Sequence, residues 1–304
     1  MQKYIFPIMF LILTIFVVYN LDELTTEIAD MLEGNTKVQV ANTNEYSKSY
    51  DFNYVKLTDD FTPYSYREVV NIYFTVINSG WNTFTFYCPE EYSACHEDIK
   101  TISSDQPLLN NLNNFAHPFN SFKTIKTVVS ESGEVFISII KLYNNNSINK
   151  VNARVDEIFS EIFDDDMTDE EKIKEIHDYI INNTKYDEEK NRTGESRYES
   201  NTAYGVLFEG VGLCSGYSDT MAIFLERLNL KNFKIASDTH VWNAVLVDKD
   251  WYHVDLTWDD PVSPDGRDTL WHKYFMIKTD KFAVLDKKNE TDHIFNTKIY
   301  SELK

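Results

Sequence analysis

Residues 212–228 read GLCSGYSDTMAIFLERL. Glycines at 210, 212 and 216 surround a lone cysteine, Cys214. Tyr217, Met221, Phe224, Leu225 and Leu228 then recur at helical spacing. The stripe predicts an amphipathic helix packed on a sheet, with Cys214 at or beside its first turn. Glycine permits the tight turns and close backbone approach that such an entry needs. Unpaired N–H groups at a helix N-terminus favour a thiolate over a thiol. On position alone, Cys214 is equally well read as a small buried hydrophobe.

The following stretch, FKIASDTHVWNAVLVDKDWYHVDLTWDDP (233–261), reads as strands joined by a tight turn at Asp248-Lys249. His240 opens one strand and Asp255 lies in its partner. A cysteine nucleophile needs a base to take its proton, and the base needs an orienting partner. All three residue types occur here, in the order Cys, His, Asp. Register decides whether they can meet. If Val247 pairs with Asp250 across a two-residue turn, Trp242 lies opposite Asp255. Asp255 then falls on the face of His240 as its diagonal neighbour. A three-residue turn without a bulge would put it on the other face, leaving Asn243 as the reserve orienter. His253 is read as alternating away from Asp255. That reading gives it no role and argues against a zinc site from His240, His253 and Asp255.

These residues resemble the bacterial transglutaminase-like superfamily. The resemblance rests on GLCSGYSDTMAIFLERL, HVWNAVLVDKDWYHVDLTWDDP (240–261) and TAYGVLFEG (202–210). IHDYIINNTKYDEE (176–189) is similar to the helix that precedes the core in such proteins. The resemblance covers about residues 150–280. It implies an α+β, papain-like core, a cysteine-bearing helix packed on an antiparallel sheet that carries His and Asp. It also implies Cys214 as nucleophile, His240 as general base and Asp255 as orienter. True transglutaminases use an upstream tryptophan to hold the oxyanion, and no tryptophan lies between Trp81 and Trp242. Tyr204 and the Cys214 N–H are the candidates for that role. Trp242 and Trp258 are read either as cleft walls or as core.

Working outward, the first 23 residues, MQKYIFPIMFLILTIFVVYNLDE, hold an apolar run from Ile5 to Tyr19. They read as a signal anchor or signal peptide over 1–22, with a polar linker over 23–48. The run is short for a spanning helix, but no small-residue cleavage site follows it. Lys3 places the rest outside the cytoplasm. The expected location is the cell membrane with the bulk extracytoplasmic, or, if the segment is cleaved, secretion.

Residues 49–145 read as a small α+β module. Ser65 and Glu68 form a capping box, and Gly80 closes that helix. WNTFTFYC (81–88) alternates like a strand, DQPLLNNLNNFA (105–116) reads as a short helix, and FKTIKTVVSESGEVFISIIKLY (122–143) reads as a hairpin. NNNSIN (144–149) marks a boundary, and residues 146–304 form the second domain. There, Thr168 and Glu171 cap a helix that carries His177 on its core edge. Residues 182–201 read as a long surface loop. DDDMTDEE (164–171) lacks the glycine and terminal glutamate of a calcium loop. DDPVSPDGRD (259–268) reads as an ordinary solvated loop. Cys88 and Cys95 are close enough to bridge, which would leave Cys214 as the odd thiol; all three free is the alternative.

The chain has 304 residues and a formal net charge of −20. Such a surface repels nucleic acid, which is excluded as a partner. The implied chemistry is acyl transfer or amide hydrolysis on a protein or peptide amide, through a thioester at Cys214. It calls on no metal and no organic cofactor. The competing reading is an inactive transglutaminase-like fold that serves as a cell-surface binding or scaffold module.

Overall fold

The computed structural model describes residues 42–304, except 165, 262–268 and 286–290. The expected anchor (1–22) and the linker up to residue 41 lie outside the described residues, as does most of the 259–268 loop. Among the described residues, no helix is long and apolar enough to cross a membrane.

In the first half, α1 (Tyr66–Asn78) starts at Ser65, whose hydroxyl accepts the Glu68 N–H at 3.4 Å. Gly80 follows the helix end with φ +69°. The elements β1 (Thr83–Tyr87), α2 (Cys95–Ser104), α3 (Gln106–Asn114), β2 (Phe122–Val129) and β3 (Glu134–Lys141) follow. The strands form an antiparallel sheet in the order β1-β3-β2, and Gly133, at φ +88°, serves the hairpin turn. A Cys88–Cys95 disulfide ties the end of β1 to the start of α2 and leaves Cys214 free. α2 carries buried residues only at Cys95, Ile99 and Ile102, too few to set up an apolar period in the sequence.

The expected boundary at 144–149 is the start of a long helix, α4 (Asn145–Ile162). Asn144 is its N-cap and pairs reciprocally with Ser147. Polar side chains there serve the cap rather than a linker. The capping box at Thr168 and Glu171 opens α5 (Asp169–Asn183). The expected surface loop contains β4 (Lys185–Tyr186) and α6 (Glu188–Thr193). β4 pairs in parallel with β5 (Val211–Gly212), Tyr186 opposite Gly212. Next come α7 (Cys214–Arg227) and three strands, β6 (Asn232–Ala236), β7 (Val241–Val247) and β8 (Asp250–Val254), in an antiparallel sheet of that order. Two short helices, α8 (Leu256–Asp259) and α9 (Thr279–Leu285), complete the elements.

The stripe on α7 is buried as read: Tyr217, Met221, Phe224 and Leu225 pack in one cluster with Val245, Val247, Val254 and Leu256. Each such side chain contributes about 1.5–3 kcal/mol on burial. The described residues belong to one compact unit, Val40–Lys304, and packing runs across residue 144. Phe52, Phe115, Phe233 and Tyr300 stack together. The Tyr300 hydroxyl accepts from Asn114 at 3.0 Å and donates to Asn111 at 2.8 Å. The Lys48 ammonium, fully buried, meets Glu226 at 2.8 Å and the Asn232 carbonyl at 2.9 Å.

Candidate active site

Cys214 is the first residue of α7 and is half-buried. Leu213 before it is extended, and its N–H donates to the Ser200 carbonyl at 2.8 Å. Gly216 makes this approach possible: a Cβ there would stand 2.3 Å from the Ser200 oxygen. The Cys214 N–H has no intrahelical acceptor at this position, and no acceptor for it occurs among the described residues.

The hairpin takes the even register. Val247 pairs with Asp250 and Asn243 with Val254, while Asp248 and Lys249 turn with φ +50° and +74°. β8 ends at Val254, and Asp255 becomes the N-cap of α8. Its Oδ1 accepts the Trp258 N–H at 3.1 Å, and its own N–H donates to the Tyr274 carbonyl at 3.1 Å. Asp255 Oδ2 meets His240 Nε2 at 2.6 Å. This leaves Nδ1 clear of Asp255, and the Cys214 thiol is near enough to His240 to help raise its pKa. The structure thus brings together Cys214, His240 and Asp255.

The electrostatics of the pair agree from both sides. Burial pulls the His240 pKa down, but the charge and hydrogen bond of Asp255, with those of Cys214, push it up to about 10. Burial raises Asp255, but the two histidines it faces hold it well below the usual carboxylate range. Both directions describe a buried imidazolium–carboxylate pair.

The second of those histidines, His293, was not singled out in the sequence. Its Nε2 meets the same Asp255 Oδ2 at 3.0 Å. The ring sits among Phe282, Trp258, Tyr274 and Trp242, with centroids 4.5–5.2 Å away. It lies in a polar tail with no periodicity and 38 residues after Asp255, so no local pattern marks it. Tyr186 was also missed. It is half-buried on β4, close enough to Cys214 for the sulfur's charge, after burial, to help raise its phenol to about 12.

Three expectations need correction. Trp242 is no cleft wall. It is buried, its ring lies parallel to His240 at 5.7 Å, and its Nε1–H donates to His253 Nδ1 at 3.0 Å. The Tyr204 ring stacks on Phe208 and lies beneath Lys150, contacts that give it a packing role. His253 does not alternate away from Asp255, because residues two apart on a strand share a face. It stays clear of Asp255 because both its nitrogens are used, Nδ1 by Trp242 and Nε2 by Thr279 Oγ1 at 3.0 Å. The reserve orienter, Asn243, instead donates to the Ser218 carbonyl at 2.9 Å and ties β7 to α7.

Comparison with known proteins bears on this region. The family described as the transglutaminase-like superfamily matches residues 156–256. Those residues form a transglutaminase-like domain. The matched stretch of this transglutaminase-like domain holds Cys214, His240 and Asp255 and ends one residue after the aspartate; His293 lies beyond it. No curated protein matches the chain. A solved structure described as "Crystal structure of a TGase" is 14% identical, with 51% of this chain and 48% of that chain covered and a TM-score of 0.32. The chain thus spans about half the length of that structure.

Proposed function

We propose that this chain is a cysteine-dependent acyl-transfer or amide-hydrolysing enzyme acting on protein or peptide amides. The observation that carries the reading is the 2.6 Å contact of His240 with Asp255 beside a free Cys214 at a helix N-terminus. Sγ attacks the amide carbonyl carbon. The oxyanion meets the Cys214 N–H, which faces no protein acceptor among the described residues. The imidazolium of His240 gives its proton to the leaving nitrogen, the C–N bond breaks, and a thioester forms with release of an amine. His240, now neutral, takes a proton from water or from a second amine, which attacks the thioester and frees Cys214. Asp255 holds the ring so that Nδ1 faces sulfur throughout.

The enzyme is placed outside the cytoplasm, held at the cell membrane by residues 1–22 or secreted. The Cys88–Cys95 bridge supports that placement, since disulfides persist in oxidising compartments.

Alkylation of Cys214 by iodoacetamide, followed by mass spectrometry, tests the reading. An unpartnered thiol is about one per cent ionised at pH 6.5. Loss of the base in His240→Ala therefore lowers the rate at that pH at least tenfold. If the variant reacts as fast as the native chain, Cys214 and His240 do not act together. The domain is then a binding module rather than a catalyst.

A further inference from the structure

A second group of ionisable side chains lies on the other side of α8, where Asp259 closes the helix that Asp255 opens. His177 and Asp178 are neighbours on α5, and His272 stands in the chain shortly after residues 262–268. His177 Nδ1 and His272 Nε2 both face one oxygen, Asp178 Oδ1, at 2.9 and 2.6 Å. All three ligand atoms lie within 4.8 Å of one another. We propose that His177, Asp178 and His272 form a binding site for a zinc-like divalent transition-metal ion.

The donor set selects the class of ion. Two imidazoles and one carboxylate suit Zn²⁺, Co²⁺ or Ni²⁺, whereas Ca²⁺ requires six to eight oxygens. Bonds of 2.0–2.1 Å in a tetrahedron set ligand atoms about 3.3 Å apart, so the two contacts to Asp178 Oδ1 need to open by less than an ångström, and the two histidine nitrogens, within 4.8 Å of each other, need to close by about 1.5 Å at most. The surroundings are those of a supported metal ligand. The other nitrogen of His177 faces Asp259 Oδ2 at 3.3 Å, and the other oxygen of Asp178 is held by Lys174. A carboxylate behind a ligating histidine fixes its tautomer and raises its basicity. His177 is fully buried, whereas the His272 side chain is 36% exposed, which gives the ion a route in and leaves the fourth position to water.

The parallel cluster of His240, Asp255 and His293 differs on these points. All three of its residues are buried, so no exposed ligand offers an ion a way in. An ion at His272 would clamp α5 to the segment that fixes Asp255. Asp259 Oδ1 accepts from the Lys273 and Tyr274 N–H groups, and the Tyr274 carbonyl accepts from Asp255.

Titration of the full chain with Co²⁺ after chelator treatment tests the site, in a Cys214→Ser background that removes the competing thiol. The expected result is one ion per chain, with the visible absorption of four-coordinate cobalt. Binding should tighten from pH 6 to 8, because an imidazole ligates a metal only in its neutral form. His272→Ala and Asp178→Asn should each weaken binding roughly 100-fold or more, beyond the 10–100-fold typical of an outer partner. His293→Gln should leave it unchanged. His272 is partly exposed, so its variant tests binding without unfolding, and circular dichroism checks this. Absence of saturable binding overturns the proposal. So does binding that survives in both His272→Ala and Asp178→Asn, or that is lost in His293→Gln and kept in His272→Ala.

Discussion

At the scale of single residues, the distinctive feature of the site is a carboxylate oxygen shared by two histidines. Asp255 Oδ2 faces His240 at 2.6 Å and His293 at 3.0 Å. On the proposed mechanism His293 acts through Asp255 as a positioning residue. Its aromatic surroundings would accept a phenyl ring, so His293→Phe removes the hydrogen bond and keeps the packing. A hydrogen bond to a charged group contributes about 1.5–3 kcal/mol. Cys214 alkylation at pH 6.5 should therefore fall tenfold or more in His293→Phe. An unchanged rate would reduce His293 to a packing residue. The pair also sets a pH dependence of stability. The folded pKa of His240 is raised from 6.5 to about 10. Its contribution is full below about pH 6.5 and lost as pH rises towards 10. The Asp255 contribution runs the other way, present above its ordinary 3.8 and lost in acid. Urea unfolding at a series of pH values should show a decline between 6.5 and 10 that His240→Gln abolishes. Equal slopes in the two proteins would contradict the assignment.

At the scale of elements, local patterns carried what was legible. The glycine–cysteine entry and the apolar stripe marked α7, while the β7–β8 register stayed open between a two-residue and a three-residue turn until the structure showed Val247 opposite Asp250. The expectation of Asp255 inside the partner strand missed by one residue, since β8 ends at Val254 and Asp255 caps α8. Alternation could say that Trp242 shares the face of His240. It could not say that Phe282, His293 and Phe295 cover that face, because they come from a distant segment without a repeat. α6 escaped for a related reason: none of its residues is buried, so it has no apolar stripe to show. The turn itself carries strain, since Asp248 and Lys249 both have positive φ without being glycine. A left-handed residue other than glycine costs roughly 1–2 kcal/mol, against a glycine entropy cost of about 0.5–1. Lys249→Gly should therefore raise the unfolding free energy by about 0.5–1 kcal/mol in urea titrations. A loss of stability would mean that the turn is held by something other than backbone preference.

At the scale of the whole molecule, the two halves read as separate in sequence share buried charges and an aromatic cluster. Glu226 is the counter-charge for Lys48, whose side chain is only 2% exposed. Glu226→Gln would leave that ammonium uncompensated, at a cost of about 3–5 kcal/mol. Urea unfolding, followed by both tryptophan fluorescence and circular dichroism, should show one transition that moves to lower denaturant as a unit. An early separate step for residues 42–145 would contradict this coupling. None of it was legible beforehand, because Lys48 fell in a polar stretch that resembles a linker.

Tyr300 joins α3 to β6 across sequence separations of 186 and 189 residues from its asparagine partners. A ribosome adds roughly 5–20 residues per second, so Asn111 waits about 10–40 s for the hydroxyl that satisfies it. His293 emerges in the same late stretch, well after Cys214 and His240. The order of synthesis therefore acts as a timer on the thiol. A growing or prematurely ended chain carries Cys214 before the second histidine that faces Asp255 has been made.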